Sequence, residues 1–224
     1  MDPAASWLCC RRVTVFAPCR TRVRAPRQPR DARCARGFLI NVCACLPPVA
    51  AFRRAASAAG IAFTERRSFD TLFNGLSIDI SASDRAKLLR VSGVKAIYPV
   101  EVIQAPNPEI VGGGNAADLS ARITHGWDFV GDSFNADPTS HSYNPVPTPD
   151  SRPDDCNGHG THVAGIVGAD GAVKGVAPGV TFGAYRVFGC NGSTTADIMV
   201  AAMERALADG ISAPGQDPGS VHAS

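Results

Sequence analysis

Between Gly158 and Gly168 the chain reads Gly-His-Gly-Thr-His-Val-Ala-Gly-Ile-Val-Gly, a helix-length stretch of mainly small residues carrying two histidines. A glycine inside a helix costs about 1 kcal/mol relative to alanine, so such a helix persists only where it is pressed closely against other elements. Suitable elements flank it. Trp127–Val130 and Thr181–Phe188 read as short apolar strands, and residues 194–210 read as a helix with Ile198, Ala202, Met203, Ala206 and Leu207 on one face. Thr194 and Asp197 approximate a capping box at its start, and Gly210 ends it. Strand, helix, strand, helix in this order predicts a parallel α/β layer, with His159 opening the first helix and His162 about one turn further on.

A different pattern precedes it. Val49–Ala59 is dense in helix formers and stops at Gly60; Ile61–Phe69 and Leu72–Ile80 alternate partially and are rich in β-branched and aromatic residues. Ser83–Val91 reads as a short helix ended by Gly93, and Val94–Val100 as a further strand. Helix, strand, strand, helix, strand is most of a ferredoxin-like α+β unit, whose first strand is expected just before Val49.

Residues 1–48 do not fit either pattern. The full chain of 224 residues, 45% apolar, is large enough for one ordinary core or two small ones without disulfides. Its net charge of +2 conceals a division: residues 1–54 hold eleven Arg against two acids, and the remainder holds eleven Lys or Arg against eighteen. Six of the eight cysteines (Cys9, Cys10, Cys19, Cys34, Cys43 and Cys45) crowd into the same leader, irregularly spaced, without a C-x-x-C pair or nearby histidine, which argues against a zinc site. The Arg-rich, acid-poor composition has the profile of an organellar transit peptide, while Gly37–Leu46 has the apolarity of a secretory h-region set too far from Met1. The clustered arginines lack the interleaved aromatics of a nucleic-acid arm, so no nucleic-acid partner is expected. No stretch approaches the ~20 apolar residues of a membrane span.

Two chemistries are open to the paired histidines. His159, His162 and Cys156 could ligate zinc, although the i, i+3 spacing lacks the glutamate of H-E-x-x-H. Alternatively, an imidazole could serve as general base for a serine nucleophile, which is weak at neutral pH until a base takes its proton and a carboxylate orients that base. The string Asn157–Gly165 resembles the histidine motif of the subtilisin-like serine proteases, and Gly175–Val180 leading into Thr181–Phe188 is similar to that family's buried parallel strand. Leu72–Ser77 and Val91–Val100 resemble the family's propeptide. The resemblance covers about Val49 to Gly210.

What the resemblance implies is an α/β chain: a ferredoxin-like α+β propeptide domain at 49–104, then an incomplete subtilisin-like parallel α/β domain at 105–210, between the leader 1–48 and a tail at 211–224. His159 would be the catalytic base and His162 a structural companion. The stretch Val102–Asn107 would be the propeptide end laid through the active site. The implied partners are a peptide or protein substrate, or an intact subtilisin-like protease, and the family's habit is secretion. No cofactor is implied beyond calcium, and Asp128, Asp132, Asp137, Asp150, Asp154 and Asp155 read as a solvated acidic surface rather than its ligands.

The chain also departs from the family pattern. An apolar strand ending in D-T-G is expected between Val102 and Trp127 and does not occur there; Asp118, after a glycine-rich stretch, is not assigned the aspartate's role. The family's G-T-S-M-A is missing too, and Ser212, Ser220 and Ser224 lie in a tail of turn composition. The expectation is a truncated, internally deleted protease without turnover. Its alternative is a propeptide-type inhibitor or folding chaperone acting in trans.

Overall fold

A continuous apolar run belongs in the middle of a sheet, where both faces are covered. Gly37–Val42 (β2) takes that place, with Phe38, Leu39, Ile40 and Val42 all buried. The computed structural model describes residues 14–15, 37–42, 48–105 and 116–211, and the chain divides into two units between Glu101 and Val102. The other readings of residues 1–13, 16–36 and 43–47, those of the tail from Ser212, and the Pro106–Asn107 end of the propeptide stretch lie outside the described residues.

In the first unit β2 is followed by α1 (Pro48–Ala58), β3 (Phe63–Phe69), β4 (Gly75–Ile80), α2 (Ala82–Leu88) and β5 (Val94–Pro99), and a two-residue strand β1 (Thr14–Val15) runs parallel to β5. The sheet order is β1-β5-β2-β4-β3, with β5-β2, β2-β4 and β4-β3 all antiparallel. The first strand of the unit therefore ends six residues before α1 rather than adjoining it, inside the segment set apart as leader. Phe52 and Ala56 of α1 and Leu88 of α2 pack with Phe38, Ile40, Leu76 and Ile78 in one core. Gly60 stops α1 with φ of 64°, whereas α2 ends at Leu88 with Leu89 as its right-handed C-cap, and Gly93, with φ of 91°, sits in the turn that leads into β5. β3, at the sheet edge, is charged and mostly exposed, with an irregular register between Glu65 and Arg67, features that discourage further pairing.

Gly75 sits where β4 crosses β2. A Cβ placed there would lie 1.9 Å from the Ile40 carbonyl oxygen, which is backbone and cannot swing aside. Gly75→Ala is expected to destabilise this unit by about 1–3 kcal/mol, read as a lower urea midpoint at unchanged slope. A midpoint equal to the parent's would contradict that packing.

The second unit begins with β6 (Val102–Ile103) and continues through α3 (Ala116–Ser120), β7 (Ile123–Asp128), α4 (His159–Gly168), β8 (Phe182–Arg186), β9 (Thr194–Thr195) and α5 (Ala196–Ala208). β7 and β8 pair in parallel, as the alternation of elements predicts. β7 starts four residues earlier than its apolar run because exposed Ile123 and His125 are held by pairing with β8 rather than by burial. Phe129, Val130 and Phe134 pack with Tyr185 and Val187 against Ile198, Ala202 and Ala206 of α5, while Met203 and Leu207 are only half-buried.

The expected capping box at Thr194 does not form. Thr195 is the N-cap of α5 and makes no side-chain cap bond, while the backbone of Thr194 and Thr195 pairs with β6. Among the described residues no helix is long and apolar enough to cross a membrane.

Candidate active site at the start of the histidine helix

α4 begins at His159, as its sequence suggests, but its cap comes from further back. Gly158 occupies the N-cap with φ of 91°, a left-handed conformation natural to glycine, and has no side chain to cap with. Asp155 takes over: its Oδ1 accepts from the backbone N–H groups of Asn157 (3.1 Å) and Gly158 (2.7 Å), and its Oδ2 from the backbone N–H (2.7 Å) and hydroxyl (2.8 Å) of Thr161. One carboxylate thus satisfies three main-chain donors at the helix mouth, with a negative charge at the positive end of the dipole.

Burial pushes the Asp155 carboxyl upward, but the bonds from Thr161, Gly158 and Asn157 outweigh it and hold its pKa below the usual carboxylate range. With the folded value depressed, its stabilising contribution is full above the unfolded value of about 3.9 and is lost as pH falls through the lower folded one. Acidification below about pH 4 should therefore loosen the first turn of α4, seen as faster amide exchange at Thr161. Asp155→Ala should do the same at neutral pH, at a cost of about 1–2 kcal/mol. Unchanged exchange at Thr161 in that variant would refute the cap.

His159 and His162 are half-buried on this first turn, and neither ring has a hydrogen-bond or ion-pair partner among the described residues. Zinc ligation through Cys156 does not fit, since Cys156 forms a disulfide with Cys190. Sequence reasoning missed that link, although these are the only two cysteines beyond the leader. The disulfide ties the loop entering α4 to the loop leaving β8, and Asn157 Nδ2 adds a long contact to the Cys190 carbonyl at 3.5 Å.

Asp118 is placed far from His159 along the helix. It pairs with Arg122 (3.3 Å) and accepts from the Asp170 backbone N–H, beyond Gly168 at the opposite end of α4, about 13 Å from the start at ~1.5 Å per residue. Arg122 also donates to the Gly168, Pro178 and Val180 carbonyls. Ser193 is 1% exposed and bonded to Asn135 Oδ1, so it is engaged structurally.

The aspartates flanking the motif are mostly spent on local bonds. Asp128 is buried; its Oδ1 accepts from the Val130 and Gly131 backbone, and its Oδ2 meets Arg186 Nη1 at 3.1 Å. Asp132 meets the same nitrogen at 2.6 Å, Asp137 and Asp150 hold turns at Thr139 and Arg152, and Asp154 pairs with Arg152 on the surface.

β9 lies a few residues beyond Cys190, so the disulfide fastens its lead-in to the loop before His159. Against β9 lies β6, antiparallel, with Val102 opposite Thr195 and Ile103 opposite Thr194. Gln104 extends the contact by donating to Asp137 Oδ2 at 3.1 Å. The Thr194 and Thr195 hydroxyls and Asn157 Oδ1 are buried without a hydrogen-bond partner among the described residues.

In chain order the histidine-opened helix lies between the parallel strands β7 and β8, and the extended segment β6 pairs along β9, an α/β arrangement. The sequence profile of the subtilase family, peptidase S8, matches residues 69–215, and the chain belongs to that family. Minor extracellular protease Vpr of Bacillus subtilis is 33% identical over 181 residues, covering 64% of this chain and 22% of the relative. An extracellular serine proteinase of Thermus sp. is 49% identical over 57 residues, 25% of this chain and 13% of that one. The chain thus spans about a fifth or less of the length of these two relatives. The crystal structure of an epidermin leader peptide processing serine protease from Staphylococcus aureus, an S393A variant, aligns with TM-score 0.49 at 17% identity, over 78% of this chain and 48% of that one.

Proposed function

We propose that the chain joins a propeptide to the histidine-bearing part of a subtilisin-like serine endopeptidase, with His159 as the general base of peptide-bond hydrolysis. The pairing of β6 with β9 carries this reading. An extended segment that follows the leader sheet lies antiparallel along a strand tethered to the histidine loop, as an inhibitory propeptide end would lie along a substrate cleft. The β5-β2-β4-β3 order, with helices in both crossovers, supports a ferredoxin-like propeptide that begins near Gly37. The named extracellular relatives support secretion, and the substrate class is peptide or protein.

The 224 residues are proposed to lack turnover of their own. His159 has no carboxylate partner among the described residues, and the sequence carries no G-T-S-M-A nucleophile motif or D-T-G strand. Loss of one triad member alone costs about four to six orders of magnitude in rate. Purified chain should release no product from a generic peptide substrate above the buffer rate; hydrolysis that disappears in His159→Ala would overturn this.

A second reading, inhibition or chaperoning of an intact relative in trans, is favoured by the first unit having its own closed core beneath a complete sheet. A peptide spanning 37–105 should slow an intact subtilisin at micromolar concentration. A segment starting at Val49, which loses β2, should not. Equal potency of the two would reject this reading.

A further inference from the structure

We propose that the Cys156–Cys190 disulfide is a reducible switch that locks or releases the mouth of the histidine helix, with a small or protein dithiol as the reductant. Only its consequence for catalysis rests on the protease reading; the exchange and its effect on the helix stand on local geometry. Cys156 is exposed and Cys190 half-buried, so the Cys156 sulfur is the one open to attack. Arg186, whose side chain is 9% exposed, directs Nη2 at both sulfurs, 2.9 Å from Cys156 Sγ and 3.4 Å from Cys190 Sγ. A guanidinium at that distance stabilises a departing thiolate and so favours the reduced state relative to a disulfide in neutral surroundings.

The exchange balances. One thiolate of the dithiol attacks Cys156 Sγ, the Sγ–Sγ bond breaks, and Cys190 leaves as a thiolate beside Arg186. The second thiol of the reductant then attacks the mixed disulfide, releasing the Cys156 thiolate. The dithiol is oxidised to its own disulfide, the protein cystine gains two electrons, and the reductant's two protons are available to the two new thiolates.

Release reaches the helix through one residue on either side of Cys156. Asp155, its predecessor, supplies the α4 cap, and Asn157, its successor, touches the Cys190 carbonyl. With the link open, the cap is held only by its own hydrogen bonds.

Asp132 provides the test. One of its carboxylate oxygens lies within 4.8 Å of both sulfurs, its side chain is 79% exposed, and it shares Arg186 with Asp128, so it opposes thiolate formation without belonging to the core. In dithiothreitol redox titrations of the full chain at low salt, read by differential alkylation and mass spectrometry of the Cys156 and Cys190 peptides, Asp132→Asn should raise the equilibrium constant for reduction about threefold. Asp132→Lys should raise it about tenfold, which corresponds to about 30 mV. On reduction of the parent chain, amide exchange at Thr161 and His162 should accelerate at least about tenfold. Equilibrium constants that stay level or fall across the two variants, or unchanged exchange in chains whose two cysteines are both alkylated, would overturn the proposal.

Discussion

Arg186→Met should destabilise the second unit by about 3–5 kcal/mol, the cost of leaving a buried carboxylate without its partner. Asp128 is 1% exposed and its two backbone donors already use Oδ1, so Oδ2 depends on Arg186. The pair ties the end of β7 to the end of β8, two strands with a helix between them in sequence and about sixty residues apart. Asp128→Asn in the same background should recover a large part of the loss, because the amide oxygen still accepts from Val130 and Gly131 while the stranded charge is gone. The comparison is a double-mutant cycle in urea, and a single-variant loss under about 1 kcal/mol would show that Asp128 is solvated.

Arg122→Ala should cost about 3–4 kcal/mol for a different reason. Its guanidinium serves four carbonyls, those of Gly168 (2.5 Å), Pro178 (2.8 Å), Val180 (3.1 Å) and Asp118 (3.3 Å), and it also pairs with the Asp118 carboxylate. Hydrogen bonds from a charged donor contribute about 1.5–3 kcal/mol each, and the side chain is 20% exposed, so water recovers part of the loss. The same plane lies 5.5 Å from the centre of the Phe182 ring. Arg122→Lys should restore only a fraction, since a single ammonium lacks the planar fork that reaches three directions. Full recovery by lysine, in the melting temperature or urea midpoint, would mean that charge alone matters there.

The elements with a strong period were legible from residues alone. α1, β4, α2, β5, α4 and α5 all fall within a few residues of their sequence readings, because amphipathic spacing and glycine stops are local signals. β2 was hidden for a physical reason: a central strand covered on both faces has no alternation, and Gly37–Val42 carries the same apolar content as an h-region. β6 and β9 are two residues each, too short for any period, and exist because they find each other.

At the site, the histidine helix is visible in sequence, whereas its supports are not. The cap skips over Gly158 to Asp155, and grouping that residue with its acidic neighbours concealed its separate role; an aspartate three residues before a glycine, followed three later by threonine, was the available signal. Cys156 and Cys190 are 34 residues apart with Cα atoms at 5.2 Å, a closeness that depends on how β8 is laid beside the α4 loop. Arg186 lies near the disulfide for the same reason.

The proposed reading gives this chain the base of a serine protease, His159, without an activated nucleophile. A fluorophosphonate probe measures that directly, because it bonds to a serine only when a neighbouring base has made the hydroxyl reactive. The full chain incubated with the probe should retain its unmodified mass. A single adduct on one serine, formed by the parent chain and absent from His159→Ala, would contradict the account.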